Sequence, residues 1–565
     1  MEILFITMIL GFAILLSWPL GQYMRWAMDP SVSEISGQKS TLRGKLESWL
    51  LALGGNSIDQ STDWKGYAIA MLIFNVGMFA FVFLILALQQ FLPLNPDAKG
   101  ALEPSLIFNT TASFVTNTNL QHYSGEAALS YFSQLFGLMW LQFVSAATGI
   151  AAMTGIARGL AGRPKVGNFY ADVFRASIFV LLPVSLIFAT ILVLGGIPMT
   201  FEGAAIAKTL EGAAQTIARG PIAAFVAIKQ LGTNGGGWFG PNSTHPLENP
   251  TFFTNVIECL AIILIPMATV WMFGRIIGRL KHARVIFGVM LILLLAKISL
   301  AMSFESAPTQ AFVGLPVAQN VGNLEGKELR FGAAAGPLWA VLTTSTSNGS
   351  VNAMHDSLNP LTGLLPLTGM WLNATFGGVG VGLINMLIFV VIGVFIAGLM
   401  VGRTPEYLGK KVETREMKMA LLATLAHPLL ILGGTALFAA TALGSGTVAN
   451  PGNHGFSEIL YEFTSAAANN GSGFEGLGDN TPAWNIATGI VMLLGRFIPI
   501  ILPLAIAGSL AVKKTAPETV GTLRTDRPLF GTVLLGTVVL IGALLFMPVA
   551  VLGPIAEHMT SLSTH

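Results

Sequence analysis

Charged side chains are scarce in this 565-residue chain: they make up 10% of it, whereas hydrophobic residues make up 53%. A soluble domain carries about 25% charged residues, so the deficit excludes an ordinary water-exposed surface and predicts an integral membrane protein in contact with lipids. The formal net charge is only +2, and long basic runs and low-complexity repeats are missing. Disordered and nucleic-acid-binding classes are therefore excluded.

The chain also contains almost no cysteine and neither of two common ATP-handling motifs. The one cysteine, Cys259, excludes a disulfide scaffold, a thiolate zinc site and a four-thiolate iron–sulfur cluster. The sequence contains neither an Asp-Lys-Thr-Gly phosphorylation motif nor a Gly-x-x-x-x-Gly-Lys-Ser/Thr phosphate loop. Paired intramembrane His or Asp residues, which a membrane enzyme would need, are not found. We expect no organic cofactor and no ATP hydrolysis by this chain.

Ten apolar runs of 20 or more residues are long enough to cross a bilayer as helices. They cover residues 3–24, 66–94, 127–157, 176–200, 250–274, 285–304, 367–402, 419–444, 483–512 and 528–552. The first run follows only Met1 and Glu2, without a basic segment or a clear small-residue cleavage site. We therefore interpret it as a retained span and not as a signal peptide.

Basic residues concentrate in alternate loops between these runs, which hold 22 of the 30 lysines and arginines. The five clusters are Arg25, Lys39, Arg43, Lys45 and Lys65; Arg158, Arg163, Lys165 and Arg175; Arg275, Arg279, Lys281 and Arg284; Arg403, Lys410, Lys411, Arg415 and Lys418; and Lys513, Lys514, Arg524 and Arg527. Basic loops stay on the cytoplasmic side. Both termini are then predicted to be extracytoplasmic.

One stretch tests this alternation of basic and other loops: residues 361–402 contain no charge over 42 residues. Two spans there would place the Arg403 cluster outside, so we predict one long span preceded by a partly embedded segment. Four glycines lie within it: Gly377, Gly378, Gly380 and Gly382. Such a density weakens a helix, and an interruption there is a candidate gate. Close helix packing is the equally weighted alternative.

Four outer loops carry similar polar, glycine-rich signatures, which we name polar loops 1 to 4. They are residues 116–119 (Thr-Asn-Thr-Asn), 232–237 (Gly-Thr-Asn-Gly-Gly-Gly), 346–350 (Thr-Ser-Asn-Gly-Ser) and 468–473 (Ala-Asn-Asn-Gly-Ser-Gly). Aligning Asn119, Gly235, Gly349 and Gly471 gives spacings of 116, 114 and 122 residues. This near-constant period predicts an internal fourfold repeat.

Each repeat is predicted to contain a helix, a re-entrant half-helix, a polar loop and a second helix. The fold class is then all-α, with ten transmembrane helices and fourfold pseudo-symmetry around a central pore. The predicted units are an extra helix at 1–25, repeats at 64–160, 173–280, 281–403 and 416–514, and an extra helix at 526–556. The half-helices would end at residues 111–115, 224–231, 338–344 and 463–467, with their negative dipole ends toward the membrane interior.

Four such loops around one axis can form a ring of oxygens that replaces the hydration shell of a monovalent cation. Glycine and small polar residues let carbonyl oxygens turn toward the axis. The signatures contain no carboxylate, which argues against calcium and magnesium.

Three stretches resemble a known family: residues 114–119 (Phe-Val-Thr-Asn-Thr-Asn), 231–237 (Leu-Gly-Thr-Asn-Gly-Gly-Gly) and 402–411 (Gly-Arg-Thr-Pro-Glu-Tyr-Leu-Gly-Lys-Lys). The chain resembles, over essentially its whole length, the KdpA family of potassium-translocating subunits of bacterial Kdp P-type ATPases, itself similar to the Trk/Ktr/HKT superfamily. The resemblance implies high-affinity potassium uptake at the bacterial inner membrane. It also implies three partners: the ATP-hydrolysing KdpB, the single-span KdpC and the small KdpF. An autonomous channel or secondary transporter is the alternative.

The repeat and the resemblance together assign the candidate potassium ligands to the four polar loops. These are Thr116, Asn117, Thr118, Asn119, Thr233, Asn234, Gly235, Thr346, Ser347, Asn348, Gly349, Asn469, Asn470 and Gly471. The resemblance also implies sensitivity at Gln121, and it places Arg496 where the superfamily has a positive residue near the pore gate. Arg496 is either an electrostatic barrier at the glycine break or an interhelical hydrogen-bond anchor.

We interpret the remaining polar residues in or near the spans as structural residues or as residues of the outer mouth. For Lys297 and Glu258 we expect a structural pair or snorkelling to an interface. His122, His245 and His355 follow three of the polar loops, and we interpret them as hydrogen-bonded residues of the outer mouth. Four carboxylates of the same segments either concentrate cations or form a solvated rim: Glu126, Glu248, Asp356 and Glu475.

Overall fold

The computed structural model describes residues 2–30, 41–55, 60–309, 314–400, 402, 404–516 and 523–563. Within these residues, ten helices are long and apolar enough to cross a membrane, and we number them spans 1 to 10. They are Leu4–Met28, Trp64–Ala87, Ser133–Leu160, Phe169–Leu194, Phe252–Ile276, Leu280–Glu305, Val381–Met400, Thr414–Ala439, Pro482–Ala511 and Pro528–Leu562. The predicted all-helical membrane fold with ten spans is confirmed.

Each of the four pairs of spans encloses one shorter helix that ends at a polar loop, and we name these half-helices 1 to 4. Their bounds are Pro104–Val115, Ile222–Leu231, Ala335–Ser345 and Asn453–Ala468. Each is followed directly by its polar loop, so the order span, half-helix, polar loop, span occurs four times. Several spans begin or end a turn beyond the apolar runs because basic residues such as Arg158 and Arg175 continue the helices.

Spans 1 and 10 flank the fourfold core. Span 1 packs along span 5, and a β-carbon at Gly21 would lie 2.6 Å from the carbonyl oxygen of Ala268. Span 10 packs against spans 6 and 7, so each terminal span covers the outside of a repeat. Span 10 itself is kinked at Gly553, next to Pro554, because proline removes a helical hydrogen bond.

The prediction of one continuous span over 367–402 is wrong. The structure has a helix at Pro360–Leu372 and then span 7 from Val381. Between them, Asn373, Phe376, Gly377 and Gly380 have positive φ angles of 42°, 60°, 40° and 82°, and left-handed residues cannot continue a right-handed helix. The predicted interruption at the glycines is confirmed as a break at residues 373–380, while its role as a gate stays a prediction.

Several short elements were not predicted because their sequences lack a long periodic pattern. The helices are Leu42–Gly54, Gly125–Ala128 and Ala442–Ser445, with 3-10 turns at Gln89–Phe91, Asn242–Thr244 and His355–Ser357. Spans 3, 4 and 10 contain π-helical segments at Ser133–Met139, Ala176–Leu181 and Val551–Ile555. Two antiparallel hairpins occur, β1 (Ala205–Lys208) with β2 (Ala214–Ile217) and β3 (Glu406–Tyr407) with β4 (Lys410–Lys411).

The β3–β4 hairpin belongs to the stretch at 402–411 that carries the family resemblance. Leu408 and Gly409 form its turn with φ angles of 52° and 76°. The buried Tyr407 hydroxyl lies 3.0 Å from Nε2 of His282, whose Nδ1 lies 3.0 Å from the Thr525 carbonyl oxygen. The hairpin therefore ties the beginning of span 6 to the segment that precedes span 10. Arg403, like Lys39, lies outside the described residues.

Arg158 joins the ends of three spans through a buried charge network. Its guanidinium lies 3.0 Å from Asp29 Oδ1 and 2.6 Å from Asp172 Oδ2, and it also donates to the Met28 carbonyl oxygen at 2.6 Å. Asp29 follows span 1, Asp172 lies in span 4, and Arg158 lies in span 3. Two carboxylates thus share this one buried cation, although Asp29 also pairs with Arg163 and Asp172 lies 3.7 Å from Arg175.

We expect Arg158→Met to destabilise the protein by about 3–5 kcal/mol, because the buried Asp172 then keeps only Arg175, 3.7 Å away, as a cationic partner. The measurement is the thermal unfolding midpoint of the protein in detergent micelles, compared with wild type. Lys165→Met is the control, since Lys165 is exposed in the connection that follows span 3. Equal unfolding midpoints for the two variants would contradict a structural role for the network.

Candidate cation site

The four polar loops share one backbone turn at the end of their half-helices. In each loop, one amide donates to a carbonyl oxygen five residues earlier, across the end of the half-helix. The pairs are Thr118 to Ser113 (2.9 Å), Asn234 to Lys229 (2.9 Å), Asn348 to Thr343 (2.8 Å) and Asn470 to Ser465 (2.9 Å). Bonds of this type close a helix C-terminus. The four loops therefore begin from equivalent geometry.

Left-handed residues alternate along every loop. The residue before each of these amides has a positive φ: Asn117 (66°), Thr233 (48°), Ser347 (48°) and Asn469 (52°). The residue after it does as well: Asn119 (57°), Gly235 (84°), Gly349 (92°) and Gly471 (103°). Thr and Ser rarely adopt this region, and such strained residues are found where the surrounding structure forces them, often at functional sites.

The loops form a closed ring in which each contacts the next. A β-carbon on the glycine of one loop would overlap a carbonyl oxygen of its neighbour: Gly235 with Asn348, Gly349 with Asn470, and Gly471 with Thr118. The ring closes between loops 1 and 2, where a β-carbon at Gly236 would lie 2.8 Å from Cβ of Asn119. The structure thus brings all four predicted signatures together around one centre.

Asparagine side chains brace this ring. Asn117 Nδ2 donates to the Thr233 carbonyl oxygen at 2.8 Å, and Asn470 Nδ2 donates to that of Thr343 at 3.0 Å. Asn348 Nδ2 lies 3.3 Å from the Lys229 carbonyl oxygen, and Asn469 Nδ2 donates to Thr118 Oγ1 at 2.9 Å. The hydroxyls of Thr116 and Thr346 donate back into their half-helices. Most of these side chains are therefore engaged with protein and hold the backbone in place.

Four equivalent backbone carbonyl oxygens are left over. Thr118, Asn234, Asn348 and Asn470 are each 0% exposed, and in the described part of the chain no donor is hydrogen-bonded to any of their backbone carbonyl oxygens. Buried carbonyl groups nearly always have a partner. Since the half-helices end at this ring with their negative dipole ends, the unpaired oxygens form a neutral, oxygen-only cradle suited to a cation.

Gln121 clamps polar loop 1 to polar loop 2 next to the ring. Its Nε2 donates to the Gly237 carbonyl oxygen at 3.0 Å, and its Oε1 accepts from the Gly237 amide at 2.7 Å. Its Nε2 also donates to the Tyr123 hydroxyl at 3.2 Å. Gln121 therefore positions the ring from its edge.

A buried polar network behind loop 2 was missed by the sequence analysis. Lys229 contacts Asn242 Oδ1 at 2.6 Å and pairs with Glu248, and both charged residues are 0% exposed. Asn242 Nδ2 in turn donates to the Gly235 carbonyl oxygen at 2.6 Å. Glu248 is thus an internal counter-ion, and its assignment to a solvated rim is wrong. A lysine inside an apolar half-helix was the available signal.

Lys297 and Glu258 neither pair with each other nor snorkel. Lys297 Nζ donates to Ser345 Oγ at 2.6 Å, and Glu258 accepts from Gln230 at 2.7 Å and from Ser243 at 2.8 Å. Their exposures are 7% and 0%. Both side chains instead hold residues at the ends of half-helices, which sequence spacing could not show.

The histidines of the mouth have partners in the structure. His355 Nδ1 lies 2.9 Å from the Tyr461 hydroxyl, and His245 stacks on Phe239 at 3.7 Å. Burial, with the nearby charge of Lys327, lowers the pKa of His355 to about 3. His355 is therefore neutral at ordinary pH. Among the rim carboxylates, Glu126 accepts from the Gly240 amide at 2.8 Å, and Asp356 lies beside His454 at 2.8 Å.

The helix break at 373–380 lies against the ring on the side of the half-helix ends. A β-carbon at Gly378 would lie 3.5 Å from Cβ of Ser347, and the Val379 amide donates to Thr233 Oγ1 at 2.9 Å. Two further glycines of the predicted gate, Gly377 and Gly382, lie so close together that a β-carbon on either would overlap the other. The break is thus positioned directly next to loops 2 and 3.

Arg496 lies beside this break. It is 3% exposed, and its Nη2 donates to the Ser145 carbonyl oxygen at 3.0 Å. A β-carbon added to Gly149 would contact both this Nη2, at 3.3 Å, and the Val379 carbonyl oxygen of the break. Gly380, also in the break, packs against the Gly149 carbonyl. No carboxylate of the described residues pairs with Arg496, so a buried charge is held next to the break.

Two matches, to a family and to a curated relative, agree with the sequence analysis. Residues 7–559 match the family described as KdpA, potassium-transporting ATPase A subunit. The "Potassium-transporting ATPase potassium-binding subunit" of Geobacillus kaustophilus (strain HTA426) is 47% identical over 555 residues, which cover 98% of each chain. The crystal structure of the potassium transporter TrkH from Vibrio parahaemolyticus is 15% identical, with a TM-score of 0.49 over 76% of this chain and 84% of that one.

Proposed function

Because the chain belongs to the family of potassium-transporting ATPase A subunits, we propose that it takes potassium from outside the cell at the ring of its four polar loops. Membership of this family makes the chain the potassium-binding subunit of an ATP-driven uptake complex. The proposal concerns which residues bind the ion, which chain uses ATP and how the chain faces the membrane.

The unpaired carbonyl oxygens of Thr118, Asn234, Asn348 and Asn470 carry the assignment of the binding site. They are buried, equivalent in all four repeats and without donors in the described residues. A ring of carbonyl oxygens can replace the water around potassium, whereas calcium and magnesium prefer carboxylates. The asparagine side chains then set the width of the ring, and the backbone oxygens contact the ion.

ATP hydrolysis belongs to another subunit in this proposal. The sequence lacks both nucleotide motifs considered above, and its basic loops are too short for a nucleotide-binding domain. The partners are the P-type ATPase subunit KdpB, with KdpC and KdpF. From the positions of the basic loops we infer that the chain lies in the inner membrane of a bacterium with both termini outside the cytoplasm.

The break at 373–380 and Arg496 form the inner boundary of the ring. Gly378 lies against loop 3, and the buried guanidinium of Arg496 repels a cation that has passed the ring. If the break acts as a gate, its opening lets the ion continue through this chain to the cytoplasm. The alternative is a permanent plug that sends the ion sideways into the ATPase partner.

The decisive test reconstitutes the purified chain with and without its P-type partner. We expect no ATP hydrolysis and no potassium accumulation against a gradient from the chain alone, and both activities with the partner. The measurements are phosphate release and ⁸⁶Rb⁺ uptake into proteoliposomes, with the partner alone as control. Accumulation by the chain alone would favour an autonomous transporter and overturn the proposal.

A further inference from the structure

Three ligand-bearing side chains meet at the junction of polar loops 4 and 1. His122 follows loop 1, Glu462 lies in half-helix 4, and Asp479 precedes span 9. His122 Nε2 lies 3.1 Å from Glu462 Oε1 and 3.9 Å from Asp479 Oδ2, and a nitrogen or oxygen from each of the three side chains lies within 4.8 Å of the others. The side chains of His122 and Glu462 are 0% and 2% exposed.

The ring orientation of His122 is fixed from behind by Asn485. The Asn485 Nδ2 donates to Ser105 Oγ at 3.1 Å and lies 3.3 Å from Asn480 Oδ1. Its Oδ1 therefore faces His122 Nδ1 at 2.7 Å, so that Nδ1 carries the proton and donates. The other ring nitrogen, Nε2, faces the two carboxylates and donates to Glu462 Oε1 at 3.1 Å, so His122 carries a proton on both nitrogens.

The protonated His122 is the cation of the cluster, and it faces two carboxylates. In the described part of the chain, the Glu462 carboxylate accepts its hydrogen bond from His122 alone, and no lysine or arginine pairs with Glu462 or Asp479. One imidazolium cannot balance the charge of two carboxylates, whereas a divalent ion that displaces its Nε2 proton can. This second observation distinguishes the cluster from an ordinary group of acidic residues.

We propose that His122, Glu462 and Asp479 bind a divalent transition metal of the zinc class. Imidazole nitrogen with carboxylate oxygens suits zinc, whereas potassium, calcium and magnesium take oxygen ligands. Tetrahedral ligands at about 2.1 Å from zinc lie about 3.4 Å apart, which is between the two distances from Nε2. The hydrogen bond from Nδ1 to Asn485 supplies the outer partner that orients a metal-bound histidine.

The site is accessible and lies next to the ring. The Asp479 side chain is 26% exposed, which leaves a route for the metal and room for a water as fourth ligand. Gly471 of loop 4 contacts the Thr118 carbonyl oxygen at this junction, and a β-carbon at Gly473 would lie 3.8 Å from Glu462 Oε2. On the proposed function, bound zinc neutralises two carboxylates near the ion site and lowers the apparent potassium affinity.

The test measures zinc bound to the purified complex after chelator treatment and dialysis against micromolar Zn²⁺, by elemental mass spectrometry. We expect one more equivalent in wild type than in His122→Gln, and at least about tenfold weaker binding in Asp479→Asn. The partly exposed Asp479 serves as the second variant because its replacement leaves the buried histidine in place. His454→Gln is the comparison variant, because His454 lies with Asp356 and Glu458 in another group of described side chains whose spacing could hold a metal.

Equal zinc content in wild type and both variants would overturn the site, as would loss of zinc only in His454→Gln. Potassium-stimulated ATP hydrolysis, measured in zinc-free buffer, separates the two proposals. A complex that transports potassium normally but binds no zinc at the cluster overturns this inference and leaves the proposed function intact. Zinc bound to a complex that does not respond to potassium would support the metal site and contradict the proposed function.

Discussion

Gly235→Ala is expected to weaken potassium binding by at least about tenfold, equivalent to about 1.4 kcal/mol. The new β-carbon would overlap the Asn348 carbonyl oxygen, one of the four unpaired oxygens of the ring. Loop 2 or loop 3 must then move, and the oxygens no longer match the size of the dehydrated ion. The measurement is the potassium concentration that half-saturates ATP hydrolysis by the complex, together with its discrimination against rubidium and ammonium.

Gly212→Ala is a closely matched control. Gly212 has the same φ of 84° as Gly235, but a β-carbon there would meet nothing within 4 Å. Both variants place alanine in the left-handed region, which costs about 1–2 kcal/mol of backbone strain, and only one disturbs the ring. Unchanged potassium affinity and selectivity in Gly235→Ala would remove the ring from the binding site.

The spans and half-helices could be predicted because apolar length and a recurring signature are local properties of a sequence. The alignment of Asn119 with three glycines is matched in the structure by positive φ angles at all four positions. Loop 1 has asparagine there because asparagine tolerates this region better than other residues with a β-carbon. The pattern was thus readable even where the residue type changed.

Whether the side chains or the backbone oxygens of the loops face the ion could not be predicted. A sequence shows that Asn117 or Asn470 is polar, but not whether its side chain or its backbone faces the centre. The structure directs both amides into bonds with neighbouring backbone, and the free oxygens are those of the main chain. Long-range pairs such as Lys229 with Asn242, or Arg496 with Ser145, depend on packing between repeats that no local pattern encodes.

The break in the third repeat illustrates the same limit. Residues 361–402 carry no charge, and hydropathy alone cannot distinguish one long span from two helices joined by a bend. Glycine density favoured an interruption, but its extent was set by Asn373 and Phe376, which adopt positive φ without being glycine. Asn373 is held by contacts with the ring, because its Oδ1 accepts from Ser347 at 2.6 Å and its Nδ2 donates to the Ala468 carbonyl oxygen at 3.0 Å.

Arg496→Met is expected to change the rate of potassium movement by more than tenfold while leaving the affinity of the ring close to normal. The guanidinium has no carboxylate partner among the described residues and lies next to the break. At an effective dielectric constant of about 20, two unit charges about 8 Å apart repel by roughly 2 kcal/mol, which corresponds to about thirtyfold in rate. Methionine keeps the length and the apolar packing but removes this barrier.

Potassium flux through proteoliposomes measures the rate, and potassium-dependent ATP hydrolysis measures the affinity. Arg496→Lys is the control that keeps the charge, and we expect its flux to remain near that of wild type. If Arg496 served only as an anchor to Ser145, methionine and lysine would both disturb packing, and the two variants would behave alike. A collapse of potassium affinity in Arg496→Met would instead place the charge within the binding site, and the barrier beneath the ring would have to be sought elsewhere along the break.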